Sequence, residues 1–135
     1  MARDHRRLRV FHEAHQLTIA IYKETKDFPR DEWFGIRAQI RRAATSVPSN
    51  IVEGSAREGS REYVNFLNIA RGSAAEVAYL IELTSELGYL PAQGRDRLKQ
   101  GYDQLIPQLQ SLINSLALPK AQSRKPRAKS PEPRA

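Results

Sequence analysis

The stretch RRAATSVPSNIVEG, residues 41–54, places a proline inside a helical pattern. Proline has no backbone N–H to donate, and its ring crowds the carbonyl four residues earlier, here that of Ala44. A break at Pro48 followed by a fresh helix would usually shift the phase of the apolar residues. Instead Trp33, Ile36, Ile40, Ala43, Val47, Ile51 and Gly54 keep to one face, at about 100° per residue, on both sides of the proline. The unbroken phase predicts a single second helix, kinked at Pro48. An interior proline costs about 3 kcal/mol, which packing has to offset. The freed Ala44 carbonyl then needs a hydroxyl or a water, and Thr45, Ser46 and Ser49 are the nearby candidates.

The rest of the chain reads the same way, and no strand alternation competes. A first helix spans about residues 8–26, with Phe11, Ala14, Leu17, Ile21 and Tyr22 inward. DFPRDEW breaks it, since Pro29 disfavours helix at Phe28, and Asp31 is placed to cap the second helix, residues 31–57. In REGS, Gly59 suits a left-handed position and Ser60 the next N-cap. A third helix over about 61–87 carries Tyr63, Phe66, Leu67, Ala70, Ala74, Val77 and Ile81. LGYLP stops it, with Gly88 as the C-cap glycine. A fourth, about 93–116, carries Leu98, Tyr102, Leu105, Leu109, Leu112 and Leu116, and Pro107 should bend it. Four helices with short connections predict an all-α, up-down-up-down four-helix bundle with a proline-kinked second helix.

Charge divides the 135-residue chain into three parts. Arg3, Arg6, Arg7 and Arg9 against Asp4 give the first nine residues +3. Lys120, Arg124, Lys125, Arg127, Lys129 and Arg134 against Glu132 give residues 119–135 +5. The whole chain is +7, so the body between is close to neutral, at −1. The expected organisation is a flexible basic N-terminus (1–7), a bundle domain (8–118) and a disordered basic tail (119–135). That tail has four prolines and no large apolar side chain, so it has little surface to bury against its ordering entropy. The chain has no cysteine, which removes disulfides and thiolate metal sites. No secretory signal or membrane span is visible, and a cytoplasmic location is the expectation.

A polar edge runs beside the apolar stripe of the second helix. Gln39, Arg42, Ser46, Asn50, Glu53 and Arg57 step along it by three or four. The third helix offers Glu62, Ser73 and Glu76 on a similar edge. In an antiparallel hairpin turning near Gly59, facing residue numbers sum to about 119. Arg57 then faces Glu62, Ser46 faces Ser73, and Arg42 falls near Glu76. Ser46, Gly72 and Ser73 would let the backbones approach. These pairs are either ordinary helix-edge contacts or a partly buried network that fixes register or a subunit interface.

The pieces FP..E.FG, QIRRAA.S.PSNI.EG..R.S and FL.IA.GS..E, within about residues 8–90, resemble the four-helix bundle protein family, also called the ribosomal RNA intervening-sequence protein family. Phe11 and Val52 stand where that family often has tryptophan and alanine. The resemblance implies a kinked second helix, a homopentamer and no enzymatic activity. It also implies nucleic-acid contact, since similar proteins are accessory factors to the reverse transcriptases of diversity-generating retroelements.

Three function classes remain to weigh. For a nucleic-acid-associated protein, binding RNA or DNA, the candidate contacts are Arg3, Arg6, Arg7, Arg9, Arg37, Arg41, Lys120, Arg124, Lys125, Arg127 and Lys129, because phosphate contacts need only cationic side chains. Solubility is the competing explanation of the basic tails. For a protein-interaction scaffold, Trp33, Phe34 and Tyr79 are the candidate contacts, though they could equally fill the bundle core or a subunit interface. An enzyme has least support. His12 and His15 are spaced for one helix face, but no third His or Cys completes a metal site. No phosphate loop or catalytic triad is present, and no cofactor is expected.

Overall fold

In a computed structural model the chain is described from residue 8 to residue 117. The expectations of a flexible segment 1–7 and a disordered tail 119–135 lie outside the described residues. Among the described residues there are four α-helices: α1 (Arg9–Glu24), α2 (Ile36–Ser55), α3 (Ser60–Glu86) and α4 (Ala92–Ala117). Each packs on the next, and α1 closes on α4, while the diagonal pairs make no close backbone approach among the described residues. Side-chain partners show that neighbours run antiparallel. Thr18 meets Ala44, Ser46 meets Ser73, Arg71 meets Gln110 and Glu24 meets Arg97. This is the expected up-down-up-down bundle.

α2 runs through Pro48 without interruption, as the phase required. The partner of the Ala44 carbonyl differs from the expectation. Thr45 Oγ1 donates to Arg41 O (2.8 Å) and Ser49 Oγ to Thr45 O (2.7 Å), while Ser46 Oγ pairs with Ser73 Oγ (2.8 Å). The hydroxyl on Ala44 O comes from α1: Thr18 Oγ1 lies 3.1 Å from it and 2.8 Å from Ala14 O. The group left without its helical donor is thus used to join two helices.

Helix ends needed corrections where short-range chemistry decided them. α2 starts at Ile36, because residues 30–32 form a separate 3-10 turn and Asp31 caps nothing. The Ile36 N–H instead donates to Glu32 Oε1 at 3.3 Å, a carboxylate placed where the helix end is electropositive. Gly59 has φ −87° and is itself the N-cap, and Ser60 is the first helical residue. Gly88 does take the left-handed conformation, at φ +84°. There Tyr89 N–H reaches Thr84 O (2.9 Å) and Gly88 N–H reaches Ser85 O (3.0 Å), the paired bonds of a Schellman end.

The predicted stripes form the core: Ile21, Ile40, Val47, Ile51, Leu67, Val77, Ile81, Leu105 and Leu109 are all fully buried. Tyr22 is the exception, on the outside at 44% exposure. Tyr102 is wholly buried, and its hydroxyl has no partner among the described residues. Burial pushes its phenol pKa well above the ordinary tyrosine value. Removing an unsatisfied buried hydroxyl while keeping the ring is nearly neutral or stabilising. Tyr102→Phe is therefore expected to leave stability at neutral pH unchanged or raise it by up to about 1 kcal/mol. Because the folded pKa is raised, this residue's contribution is intact below the unfolded value, about 10, and is lost as pH rises beyond it. Urea melts from pH 8 upward should show Tyr102→Phe losing less stability at alkaline pH than the parent; a loss above 1 kcal/mol at neutral pH would mean the hydroxyl has a partner.

Candidate nucleic-acid interface

The sequence marked a polar seam and two outward arginines, Arg37 and Arg41, and α2 carries both. The first is the seam with α3. Its centre has the expected register: Ser46 and Ser73 share a hydrogen bond, and Asn50 Nδ2 donates to Ser46 O (2.8 Å) and Ser46 Oγ (2.9 Å). The flanking pairs differ. Glu76 accepts from Gln39 Nε2 (3.2 Å) rather than from Arg42, which is exposed and has no side-chain partner among the described residues. Arg57 pairs with Glu53 one turn back (3.6 Å) and stacks over Phe66 (4.8 Å), leaving Glu62 exposed. At Arg57 the partner one turn back prevailed, while Glu76 keeps a cross-helix pair with a different α2 residue. Gly72 is not at the crossing: a Cβ there would meet nothing within 4 Å. The close approach is at Gly54, where a Cβ would lie 2.7 Å from Phe66 Cβ.

The second region is the corner where α1 ends and α2 begins. Arg41, one turn into α2, reaches across to the last turn of α1. Its Nε donates to Thr25 Oγ1 (2.9 Å), a terminal nitrogen donates to Tyr22 O (3.0 Å), and its guanidinium lies 4.5 Å from the Tyr22 ring. Desolvation first, and then the neighbouring Arg37 charge, lower the Arg41 pKa. Arg37 donates to Lys26 O (3.3 Å). Arg37 and Arg30 both lie over the Trp33 ring, at 4.5 and 5.0 Å, while Trp33 Nε1–H donates to Phe28 O (3.1 Å). The bond to Tyr22 O gives a cationic donor to a last-turn carbonyl of α1, and those to Lys26 O and Phe28 O satisfy carbonyls of the connection beyond it.

The corner separates charge. Among the described residues Lys23, Lys26, Arg30, Arg37 and Arg41 form no ion pair with a carboxylate, nor do Arg42, Arg61 and Arg71 elsewhere, whereas Arg9, Arg57, Arg95, Arg97 and Lys99 each do. Glu32 turns the other way, accepting from Tyr89 Oη (3.1 Å). That hydrogen bond is the largest cause of the raised Tyr89 pKa, with burial and the Glu32 and Asp31 charges adding to it. Phe34, beside Trp33, is 95% exposed. Trp33, by contrast, is half-buried. The sequence marked Arg37 and Arg41 but missed Arg30 and the lysines; the three- and four-residue spacing of Lys23, Lys26 and Arg30 was the available signal.

Arg9 is exposed and paired with Glu13 (3.1 Å). Arg3, Arg6, Arg7, Lys120, Arg124, Lys125, Arg127 and Lys129 lie outside the described residues. His15 stacks on Phe11 with ring centroids 5.9 Å apart. Among the described residues no three His, Asp or Glu side chains converge as metal ligands, and no helix is long and apolar enough to cross a membrane.

Residues 6–111 match the model of the family described as 23S rRNA-intervening sequence protein. The chain belongs to this family. The matched segment takes in the corner, the seam and most of α4. The fold of this intervening-sequence protein is also that of a crystal structure from Bacteroides thetaiotaomicron, a protein of unknown function from the S23 ribosomal protein family. The two share 24% identity with a TM-score of 0.72, over 78% of this chain and 95% of the other. No curated protein matches the chain.

Proposed function

We propose that this intervening-sequence protein is a non-enzymatic, oligomeric accessory protein of the cytoplasm that associates with nucleic acid through basic residues. The observation that carries the reading is the α1–α2 corner, where Arg30 and Arg37 lie over Trp33 and Arg41 stands one turn from Arg37, none of them in an ion pair with a carboxylate among the described residues. Phosphates compensate such a cluster without any sequence-reading element, and a closed homopentamer would present it five times over. The basic segments outside the described residues would add to the same field. A protein-binding scaffold is the second reading, and the outward Ile69 (52% exposed) and Tyr79 (63%) of α3 favour it.

Titrating RNA and DNA across salt, with the full chain and with a chain ending at Leu118, separates these readings. Binding should weaken linearly in log–log form, with a slope of about −0.7 per phosphate contacted on single strands. Absence of binding by both chains at low salt would exclude the nucleic-acid reading, and loss only on truncation would place the activity in the tail. Light scattering on the same samples should give the mass of a pentamer; a monomer would exclude that part of the proposal.

A further inference from the structure

We infer that the α1–α2 corner is a site for single-stranded nucleic acid, with Phe34 as a stacking platform for an unpaired base and Lys26, Arg30 and Arg37 as phosphate contacts. The inference rests on the nucleic-acid reading above and narrows it to one place and to unpaired strands.

Phe34 is an apolar ring almost wholly in water, yet it is not on a loose loop. Glu32 N–H bonds to Pro29 O (2.9 Å), Trp33 N–H to Arg30 O (3.1 Å) and Gly35 N–H to Glu32 O (3.1 Å), so the backbone is hydrogen-bonded on both sides of it. A ring presented by ordered backbone loses little freedom on binding. Exposed aromatics beside cations are what sequence-independent single-strand binding uses, because every base has a π-face. Among the described residues Arg30 engages only the Trp33 ring and the Lys26 ammonium has no partner. Arg37 uses one nitrogen on Lys26 O, and a guanidinium carries five N–H donors. Glu32 reaches Tyr89, while Asp27 and Asp31, next in sequence to Lys26 and Arg30, form no ion pair with either among the described residues. A phosphate backbone brings the charge opposite to that of these cations.

Trp33 is the chain's single tryptophan, so its fluorescence reports on the corner. The full-length protein is titrated with a uridine oligomer of about 12 nucleotides, its thymidine counterpart and a duplex of the same length. Both single strands should quench Trp33 and bind more tightly than the duplex. Phe34→Ala should weaken single-strand binding about tenfold and leave duplex binding unchanged. Arg30→Gln should weaken all three and reduce the salt slope by about the contribution of one phosphate. Phe34 touches little, so thermal melts should show both variants folded. If the parent binds strands and duplex equally and Phe34→Ala changes neither, the corner site is overturned while nucleic-acid binding stands. If the parent binds nothing, both fall. If Phe34→Ala lowers the assembly mass without changing affinity per protomer, the corner is a contact between copies and the inference is overturned.

Discussion

Gly54→Ala is expected to destabilise the bundle by about 1–3 kcal/mol, while Gly72→Ala is expected to stabilise it by about 0.5–1 kcal/mol. Both glycines are helical, on facing helices, so intrinsic propensity favours alanine at both. The surroundings set the signs. A Cβ on Gly54 would stand 2.7 Å from Phe66 Cβ, 3.0 Å from Tyr63 Cδ1 and 3.4 Å from Tyr63 O. The first of these atoms is fixed to the α3 backbone and cannot swing aside, so α2 and α3 must separate. Tyr63 is buried in the core, so that separation would loosen contacts beyond the pair. At Gly72 the space is open, and alanine only removes backbone freedom from the unfolded chain. Urea denaturation measures both, and the midpoints should move in opposite directions. Gly54→Ala at or above the parent's stability would show that the helices are not in contact there.

Phase carried most of the fold. Seven apolar positions across Pro48 were enough to place α2 as one helix, and Ser46 against Ser73 fixed its register on α3. Both depend on periodicity, which a sequence displays directly. Less legible were features decided by distances below one helical turn or by residues remote in sequence. Asp31 looked like a cap, but a 3-10 turn placed Glu32 on the α2 N-terminus instead. Arg57 had Glu53 within one turn and Glu62 across a loop, and the local partner prevailed. Gly54 and Gly72 are indistinguishable by residue type; only the crossing point of α2 and α3 separates them. At the corner, the sequence offered Arg37 and Arg41 as outward cations. The structure adds that they bind the end of α1 and gather with Arg30 and Lys26, a convergence created by the connection between the helices.

Thr18→Val is expected to cost about 1–3 kcal/mol in the parent chain and distinctly less in a Pro48→Ala background. Valine keeps the shape of threonine and removes the hydroxyl that reaches Ala44 O at 3.1 Å. That carbonyl belongs to a fully buried residue whose normal helical donor, the N–H of residue 48, does not exist in proline. Without Thr18 it is left buried and unpaired. Alanine at position 48 restores the missing N–H, so the carbonyl has a partner whether or not the hydroxyl is present. The two substitutions should therefore couple by about 1 kcal/mol or more in a double-mutant cycle. Equal costs of Thr18→Val in both backgrounds would show that the hydroxyl serves only Ala14 O, 2.8 Å away within its own helix. Coupling would mean that Pro48 makes α2 depend on α1: its missing hydrogen bond is replaced only when the two helices pack in this register. A proline that weakens an isolated helix would then favour the assembled bundle over alternative pairings of the same apolar stripes.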